Sequence, residues 1–241
     1  MTVPTALVAA VVAALANVFG AVIVARREWS RGALDAMIAF SGGFLIAVAL
    51  VEMLPESLAQ HGAAAAWVIL GGYLAVHLTQ HTLVPHFHFG EETHHVSHSV
   101  AVSALIGLLL HMFVDGVAIA SGFLVSGRLG VLLFLAVFLH KLPEGVTIAS
   151  VTLAGGGGRR RALAAAAALG LATILGVLLT EVTEPLVRHG LAISAGVTLY
   201  VAASDLVPEF QAKRGWPVAV AFFGGAAAFL VTQLLLGLWV R

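Results

Sequence analysis

Long, almost uninterrupted apolar stretches follow one another along the whole chain. Each covers about 20 residues, the length that an α-helix needs to cross the hydrocarbon core of a bilayer. A transmembrane barrel strand would instead alternate apolar and polar residues over about ten positions. The pattern therefore predicts an all-α polytopic membrane protein with eight transmembrane helices. They are expected at Val3–Ala25, Ala33–Ser57, Ala63–Pro85, Val100–Val125, Leu129–Leu153, Ala162–Thr183, Gly190–Phe210 and Trp216–Val240.

Composition supports this interpretation and excludes several classes of protein. Hydrophobic side chains make up 60% of the 241 residues, charged side chains 10%, and the mean hydropathy is +1.03. Soluble domains carry about 25% charged residues, so we expect one transmembrane domain over residues 1–241 and no appended soluble domain. A net charge of zero without a long basic run argues against a nucleic-acid partner. The chain has no cysteine, so a transition-metal site must use His, Asp or Glu.

The basic residues indicate how the helices are oriented. Eight of them fall in the first, fifth and seventh connections and three on the other side, and basic residues concentrate in cytoplasmic loops. The eight are Arg26, Arg27, Arg31, Arg159, Arg160, Arg161, Lys213 and Arg214, and the three are Arg128, Arg188 and Arg241. We therefore expect both termini outside the cytoplasm and the third connection inside it.

An internal repeat links the second and seventh predicted helices. AFSGGFLIAVALVEMLPE (residues 39–56) and AISAGVTLYVAASDLVPE (residues 192–209) share seven identities in eighteen positions. The two helices run in opposite directions under the predicted orientation, so we expect an inverted repeat of spans 1–3 and 6–8 around spans 4–5. Such repeats are typical of secondary transporters. Chance similarity is the alternative, but the shared Pro-Glu ending and the matched acidic pair Glu52 and Asp205 argue against it.

Four ionisable residues fall in the middle of the fourth and fifth predicted helices. HMFVDG places His111 and Asp115 four residues apart, and HKLPEG places His140 and Glu144 at the same spacing. Residues i and i+4 share a helix face, so two adjacent helices could present four nitrogen and oxygen donors. This set suits a divalent first-row ion such as zinc or iron. A proton relay through the same groups is the physical alternative.

Two neighbours of these motifs carry their own expectations. Pro143 has no amide proton to donate to the carbonyl of Leu139, so that oxygen is freed and the helix can kink beside the site. Lys141 must be paired at this depth. Glu144 on the next turn, or Glu184 at the end of the sixth predicted helix, could supply the carboxylate.

Further ionisable residues could extend a path for ions. Glu52 and Asp205 lie deep in the repeated helices, and Glu56 and Glu209 lie at the ends of these helices. The two end residues are either entry and exit positions of an ion path or ordinary interfacial carboxylates. Histidines crowd the cytoplasmic loop at residues 86–98 and the helix end before it, and imidazole binds zinc, copper and nickel. We expect metal capture or sensing there rather than a merely polar loop. These histidines are His77, His81, His86, His88, His94, His95 and His98.

The eight predicted helices with HMFVDG, HKLPEG, EMLPE and LYVAASDLVPE resemble the ZIP (Zrt-, Irt-like protein) family of divalent metal transporters. The resemblance implies a prokaryotic-type member in the cytoplasmic (inner) membrane. Its substrate would be zinc, or iron, manganese or cadmium, carried into the cytoplasm, with no catalytic cofactor and no enzymatic activity. Spans one, four, five and six would carry the metal as a bundle that moves against spans two, three, seven and eight, and a homodimer is compatible with this plan.

The resemblance also predicts how many metals the centre holds. Two-metal members have further ligands after each leading histidine and before a proline in the sixth helix. The matching residues here are Met112, Lys141 and Glu184, and a thioether and an ammonium are poor ligands. We therefore expect a single-metal centre. Ser204 and Asp205 stand where the family often has His-Glu, which weakens an auxiliary site there.

A membrane di-iron oxygenase of the desaturase or hydroxylase kind is the main alternative. His77 and His81, four residues apart, and the adjacent His94 and His95 resemble fragments of its histidine boxes. The boxes do not recur along this chain, and the motifs that contain acids lie in mid-membrane. The transporter is therefore the favoured interpretation.

Overall fold

The computed structural model describes residues 3–26, 31–83, 98–208 and 216–239, and these ranges are helical except for short connections. The helices are α1 (Val3–Arg26), α2 (Arg31–Val48), α3 (Leu54–His61), α4 (Ala64–Leu78), α5 (His98–Val125), α6 (Gly127–Ala154), α7 (Arg159–Val182), α8 (Glu184–Tyr200) and α9 (Trp216–Trp239). Three π-helical segments, Ala49–Met53, Thr79–Leu83 and Val201–Leu206, directly follow α2, α4 and α8. The first of them joins α2 to α3 in one continuous span.

The predicted all-α membrane fold is confirmed. Seven helical spans in the described ranges are long and apolar enough to cross a membrane. The third predicted span is shorter, with 15 α-helical residues in α4 and five in its π-helical extension. Large apolar side chains cover the outside of the bundle, including Leu15, Leu175 and Leu234, which are 62%, 53% and 69% exposed. A bilayer solvates such a surface and water does not, so this is a multi-pass membrane protein.

One predicted helix boundary is wrong. The seventh predicted span begins at Glu184 instead of Gly190, and the polar residues between them belong to the helix. Pro185 lies at the very start of α8, where its missing amide proton costs no hydrogen bond and its fixed φ favours the helix. Thr183, in extended conformation, is consequently the single residue between α7 and α8.

The helices form one four-helix bundle and two helix pairs. In the bundle, α1, α5, α6 and α7 pack against one another, while α2 pairs with α9 and α4 pairs with α8. The bundle meets the pairs where α5 packs on α8 and α6 packs on α2. The π-helical segments Ala49–Met53 and Val201–Leu206 pack against α8 and α2 respectively, which joins the two pairs.

Glycines of the two sequence motifs permit close helix crossings inside the bundle. A Cβ added to Gly116 on α5 would overlap the carbonyl oxygen of Thr173 on α7. A Cβ added to Gly145 on α6 would likewise overlap the carbonyl oxygen of Asn17 on α1. These glycines immediately follow Asp115 and Glu144, so neighbouring helices pack closely beside the acidic residues of the motifs.

The inverted repeat stays a prediction, and two hydrogen bonds in corresponding positions are consistent with it. Glu52 accepts a hydrogen bond from Gln233 on α9 at 2.6 Å, and Asp205 accepts one from Gln80 at 2.8 Å. Gln80 and Gln233 are as far apart in the sequence as Glu52 and Asp205. Glu52 also forms an ion pair with Arg128, at 2.6 Å, and so connects the π-helical segment after α2 to the start of α6.

Candidate metal centre

The four residues of the HMFVDG and HKLPEG motifs come together between α5 and α6. One donor atom each from His111, Asp115, His140 and Glu144 lies within 4.8 Å of the others. All four side chains are buried, with at most 9% of each residue exposed. Among the residues that the structure describes, this is the one group of three or more His, Asp and Glu residues placed to hold a metal ion.

Each carboxylate of the cluster faces both imidazoles. His111 Nε2 lies 3.1 Å from Glu144 Oε1 and 3.5 Å from Asp115 Oδ2. His140 Nε2 lies 3.2 Å from Asp115 Oδ2 and 3.8 Å from Glu144 Oε1. Nitrogen and oxygen atoms from two helices therefore converge on one buried point, where they could hold a metal ion.

The hydrogen bonds of the two imidazoles leave nitrogen lone pairs available to a metal. His140 Nδ1 lies 2.8 Å from the carbonyl oxygen of Ala136 and donates a proton to it, so Nε2, which lies 3.2 Å from Asp115 Oδ2, is the nitrogen that an ion would bind in place of a proton. Metal-binding histidines are commonly oriented by such a bond to a backbone carbonyl. Both ring nitrogens of His111 are buried without an aligned hydrogen-bond partner. Buried nitrogens of this kind are rare, and coordination of an ion would satisfy one of them.

Lys141 supplies one positive charge inside this cluster and is fully buried. Its ammonium contacts a carboxylate oxygen of Asp115, lies 3.4 Å from Glu144 Oε2, and lies 2.7 Å from the sulfur of Met112. The expected pairing with Glu144 is confirmed, and Asp115 is a second partner that the sequence did not indicate. The alternative pairing with Glu184 is wrong, because that residue is exposed at the start of α8 rather than part of the sixth helix.

The carbonyl oxygen freed by Pro143 has another donor. Pro143 lies within the continuous helix α6. The hydroxyl of Ser41 on α2 lies 3.0 Å from the carbonyl oxygen of Leu139 and 2.8 Å from that of Met37. The freed oxygen of Leu139 thus connects α6 to α2 directly before His140 and five residues before Glu144.

Asn17 on α1 is a neighbour of the centre that sequence reasoning missed. Its amide nitrogen lies 3.6 Å from the sulfur of Met112, its Oδ1 is buried without a hydrogen-bond partner, and the residue is fully buried. A signal was available, because Asn17 is the only asparagine of the chain and lies in an otherwise apolar span.

None of the auxiliary residues whose side chains the structure describes joins this cluster. Glu52 and Asp205 are held by the glutamines described above, and Glu56 accepts a hydrogen bond from Gln60 at 3.1 Å. His77 is exposed on α4 with its ring 5.9 Å from that of Tyr200, and His81 lies in the π-helical segment after α4. His98 begins α5. Glu209, His86, His88, His94 and His95 lie outside the described residues.

Comparison with known proteins identifies transporters as similar sequences. The family profile described as ZIP zinc transporter matches residues 77–233. Human zinc transporter ZIP4 is 32% identical over 139 residues, which cover 54% of this chain and 22% of the human protein. Mouse zinc transporter ZIP5 is 35% identical over 131 residues, covering 53% of this chain and 24% of that protein.

A more distant relative is the zinc transporter foi of Drosophila melanogaster, 26% identical over 119 residues, or 48% of this chain and 17% of that protein. The matched part of the chain spans about a fifth of the length of these relatives. These matches are to transporters, so the di-iron oxygenase alternative is not favoured.

Proposed function

Since the chain belongs to the ZIP zinc transporter family, we propose that it carries divalent transition-metal ions across the membrane into the cytoplasm. Zinc is the main substrate, with iron, manganese and cadmium as further ones. His111, Asp115, His140 and Glu144 bind the ion in transit. The observation that carries this proposal is the convergence of their four donor atoms at a buried point in mid-membrane.

The donor set matches the coordination that zinc prefers. Zinc takes four ligands at about 2.0–2.2 Å, commonly imidazole nitrogen and carboxylate oxygen. The present spacing, with all donor atoms within 4.8 Å of one another, requires the side chains to draw together by small rotations around the ion. Glu144 serves both sides of the centre, because Oε1 faces the histidines and Oε2 faces Lys141.

The charge of the centre supports one ion rather than two. Asp115 and Glu144 bring two negative charges and Lys141 brings one positive charge, so the site alone is singly negative. One divalent ion reverses this to a single positive charge, whereas a second ion would add two more in a medium that solvates charge poorly. A singly negative site also binds less tightly than a doubly negative one, which favours release, as permeation requires.

The proposal includes an orientation and a location. Both termini are placed outside the cytoplasm, because most basic residues fall on the side that includes the turn between α6 and α7. The proposed location is the cytoplasmic (inner) membrane of a prokaryote. The chain has no native cysteine, so single cysteines report sidedness cleanly. Thr2→Cys should react with a membrane-impermeant maleimide in intact cells, whereas Gly157→Cys should react only after lysis; the reverse pattern would invert the orientation.

We also propose that two copies associate as a homodimer through α9. Phe223, Leu234 and Leu238 on this helix are each about 70% exposed, so its outer face is available to a second copy or to lipid. Mass measurement of the detergent-solubilised protein should give two chains per particle. A single chain under mild detergent conditions would contradict this part of the proposal.

Zinc uptake into proteoliposomes tests the central assignment. The native protein should accumulate radioactive zinc, and excess iron, manganese or cadmium should compete. His111→Ala with Glu144→Ala should abolish uptake while the protein elutes from size exclusion as before. Glu56→Gln, a carboxylate change outside the cluster, is the matched control and should retain uptake. Undiminished uptake by the His111/Glu144 double variant would end the assignment.

A further inference from the structure

We propose that His61 and His189 form a second, weaker metal site, at the end of the protein that holds the α3–α4 and α7–α8 connections. The two imidazole rings lie with their centroids 5.1 Å apart. His61 is the last residue of α3, and His189 lies on the second turn of α8. Neither residue belongs to the central cluster. The ligand is a borderline divalent ion such as zinc, which neutral imidazole suits.

His61 is already oriented as a metal ligand. Its Nε2 lies 2.6 Å from the backbone carbonyl oxygen of Arg188. A carbonyl oxygen only accepts hydrogen bonds, so Nε2 carries the proton and Nδ1 carries the free lone pair. Histidine ligands of metal ions are typically positioned by a bond of this kind from the other ring nitrogen.

Unsatisfied polar atoms mark the same place. His189 Nδ1 is buried and has no hydrogen-bond partner. Ser57, one turn before His61 on the same face of α3, is fully buried, and its hydroxyl oxygen also has no partner. Buried polar atoms without partners call for an explanation. A partly hydrated cation held by the two imidazoles, where α3 packs against α8, would give His189 Nδ1 a partner.

The chemistry of the pair makes it a site of rapid exchange. Both ligands are neutral, so they offer the ion no opposite charge, unlike Asp115 and Glu144 in the central cluster. Two ligands also leave coordination positions for water. Under the proposed orientation this end faces outward, so the pair receives the ion before it reaches the centre. That role rests on the proposed function, whereas metal binding by the pair does not.

The test measures zinc binding in a protein without the other strong candidate ligands. The background variant carries alanine in place of His111, His140 and Glu144 of the central cluster, alanine in place of His77, His81, His86, His88, His94, His95 and His98, and no histidine tag. Equilibrium dialysis against zinc chloride followed by elemental analysis should find a weakly bound zinc ion. Adding His61→Ala or His189→Ala should weaken this binding at least about tenfold, because one ligand replaces a chelating pair. Gln60→Ala, beside His61, is the control and should leave the affinity unchanged.

Copper(II) provides an independent readout. Its electron paramagnetic resonance spectrum in the background variant should show coordination by two imidazole nitrogens and should lose one of them in either single variant. If an alanine variant misfolds, His61→Gln retains a donor to the carbonyl of Arg188 without an imidazole and should show the same loss. Unchanged zinc affinity and copper spectra on removal of either histidine would overturn the proposal.

The two proposals fail in different ways. If the native protein takes up zinc while the background variant shows no binding at His61 and His189, the second site is wrong and the transport function stands. If the background variant binds zinc at the pair but the native protein carries no ion, the transport function is wrong and the second site stands. If both hold, His61→Ala should raise the KM of zinc uptake several-fold without changing kcat.

Discussion

At the scale of single residues, Lys141 controls how many ions the centre can hold. Replacing it by aspartate together with Met112→Asn removes the ammonium and adds an oxygen donor on each helix. We expect about one tightly bound zinc or cadmium per chain in the native protein and about two in this double variant. Elemental analysis after dialysis measures the number.

Lys141→Met separates the loss of charge from the gain of ligands. It removes the ammonium and adds no oxygen donor, so the number of bound ions should stay at about one. The apo protein should be less thermostable, because Asp115 and Glu144 would then be buried without their cation. Two ions in the native protein would show that Lys141 does not replace a second metal. One ion in both the native protein and the variant with Lys141→Asp and Met112→Asn would show the same.

Ser41 is expected to stabilise helix α6 where Pro143 leaves the carbonyl oxygen of Leu139 without a donor from its own helix. Ser41→Ala leaves the carbonyl oxygen of Leu139 without its donor from α2, which should cost about 1–3 kcal/mol. Thermal unfolding in detergent measures the loss. Ser150→Ala is the matched control, because Ser150 bonds only to Val146 within its own helix, and it should change stability little. Equal effects of the two substitutions would contradict a special role for Ser41.

Much of the centre was predictable from the sequence at this scale, and the physical reason is spacing. Helical periodicity places His111 with Asp115 and His140 with Glu144, and their rarity in apolar spans marks them. The contact of Lys141 with Asp115 was not predictable, because it depends on how α5 and α6 are rotated against each other. Asn17 was missed for the same reason, since its position beside Met112 depends on the packing of α1.

At the scale of the helices, Gly116 and Gly145 set the crossings on which the centre rests. At an exposed helix position, alanine makes the helix more stable than glycine does by about 1 kcal/mol. At Gly145 its methyl group would instead overlap the backbone of α1, so Gly145→Ala should destabilise the protein by about 1–3 kcal/mol. Gly116→Ala should do the same through α7.

Gly237→Ala is the control for these two substitutions, because no heavy atom lies within 4 Å of its added Cβ. The melting temperature of Gly237→Ala should equal or exceed that of the native protein. The melting temperatures of Gly116→Ala and Gly145→Ala should lie below that of the native protein. Zinc binding by the motif variants should also weaken, since the acidic residues immediately precede the displaced backbone. Native stability of Gly145→Ala would show that α1 and α6 can separate without penalty.

Hydropathy predicts these helices better than it predicts their ends and irregularities. The predicted and observed limits of α1 agree to within a residue, because an apolar run against charged flanks is a strong signal. The start of α8 was misjudged because Arg188 and His189 resemble a polar loop, while Pro185 favours a helix start. The π-helical segments carry no periodic signal, since each holds only five or six residues.

For the whole molecule, we expect the proposed transport to move the bundle of α1, α5, α6 and α7 against the two helix pairs. A Cβ added at Gly190 on α8 would lie 3.7 Å from the Cβ of Ser121 on α5, within the range of disulfide bonds. In this cysteine-free chain, Ser121→Cys with Gly190→Cys should therefore form one disulfide across the interface. Zinc uptake should stop on oxidation and return on reduction.

Each single cysteine variant is the control and should transport equally under both conditions. Uptake by the reduced double variant verifies that the added side chains are tolerated. Full uptake by the oxidised double variant, with the disulfide verified by mass spectrometry, would rule out relative movement of α5 and α8 at this point.

The single residue between α7 and α8 limits the path that such a movement can take. Consecutive Cα atoms are about 3.8 Å apart, so the ends of the two helices, Val182 and Glu184, can separate by no more than about 7 Å through Thr183. A long translation of the bundle would therefore either move α8 with it or unwind the end of α7 or the start of α8. Rotation about Thr183 avoids both, and it gives the largest sweep to the opposite end, at the turn between α6 and α7. The metal would then travel on an arc whose pivot lies beside Thr183.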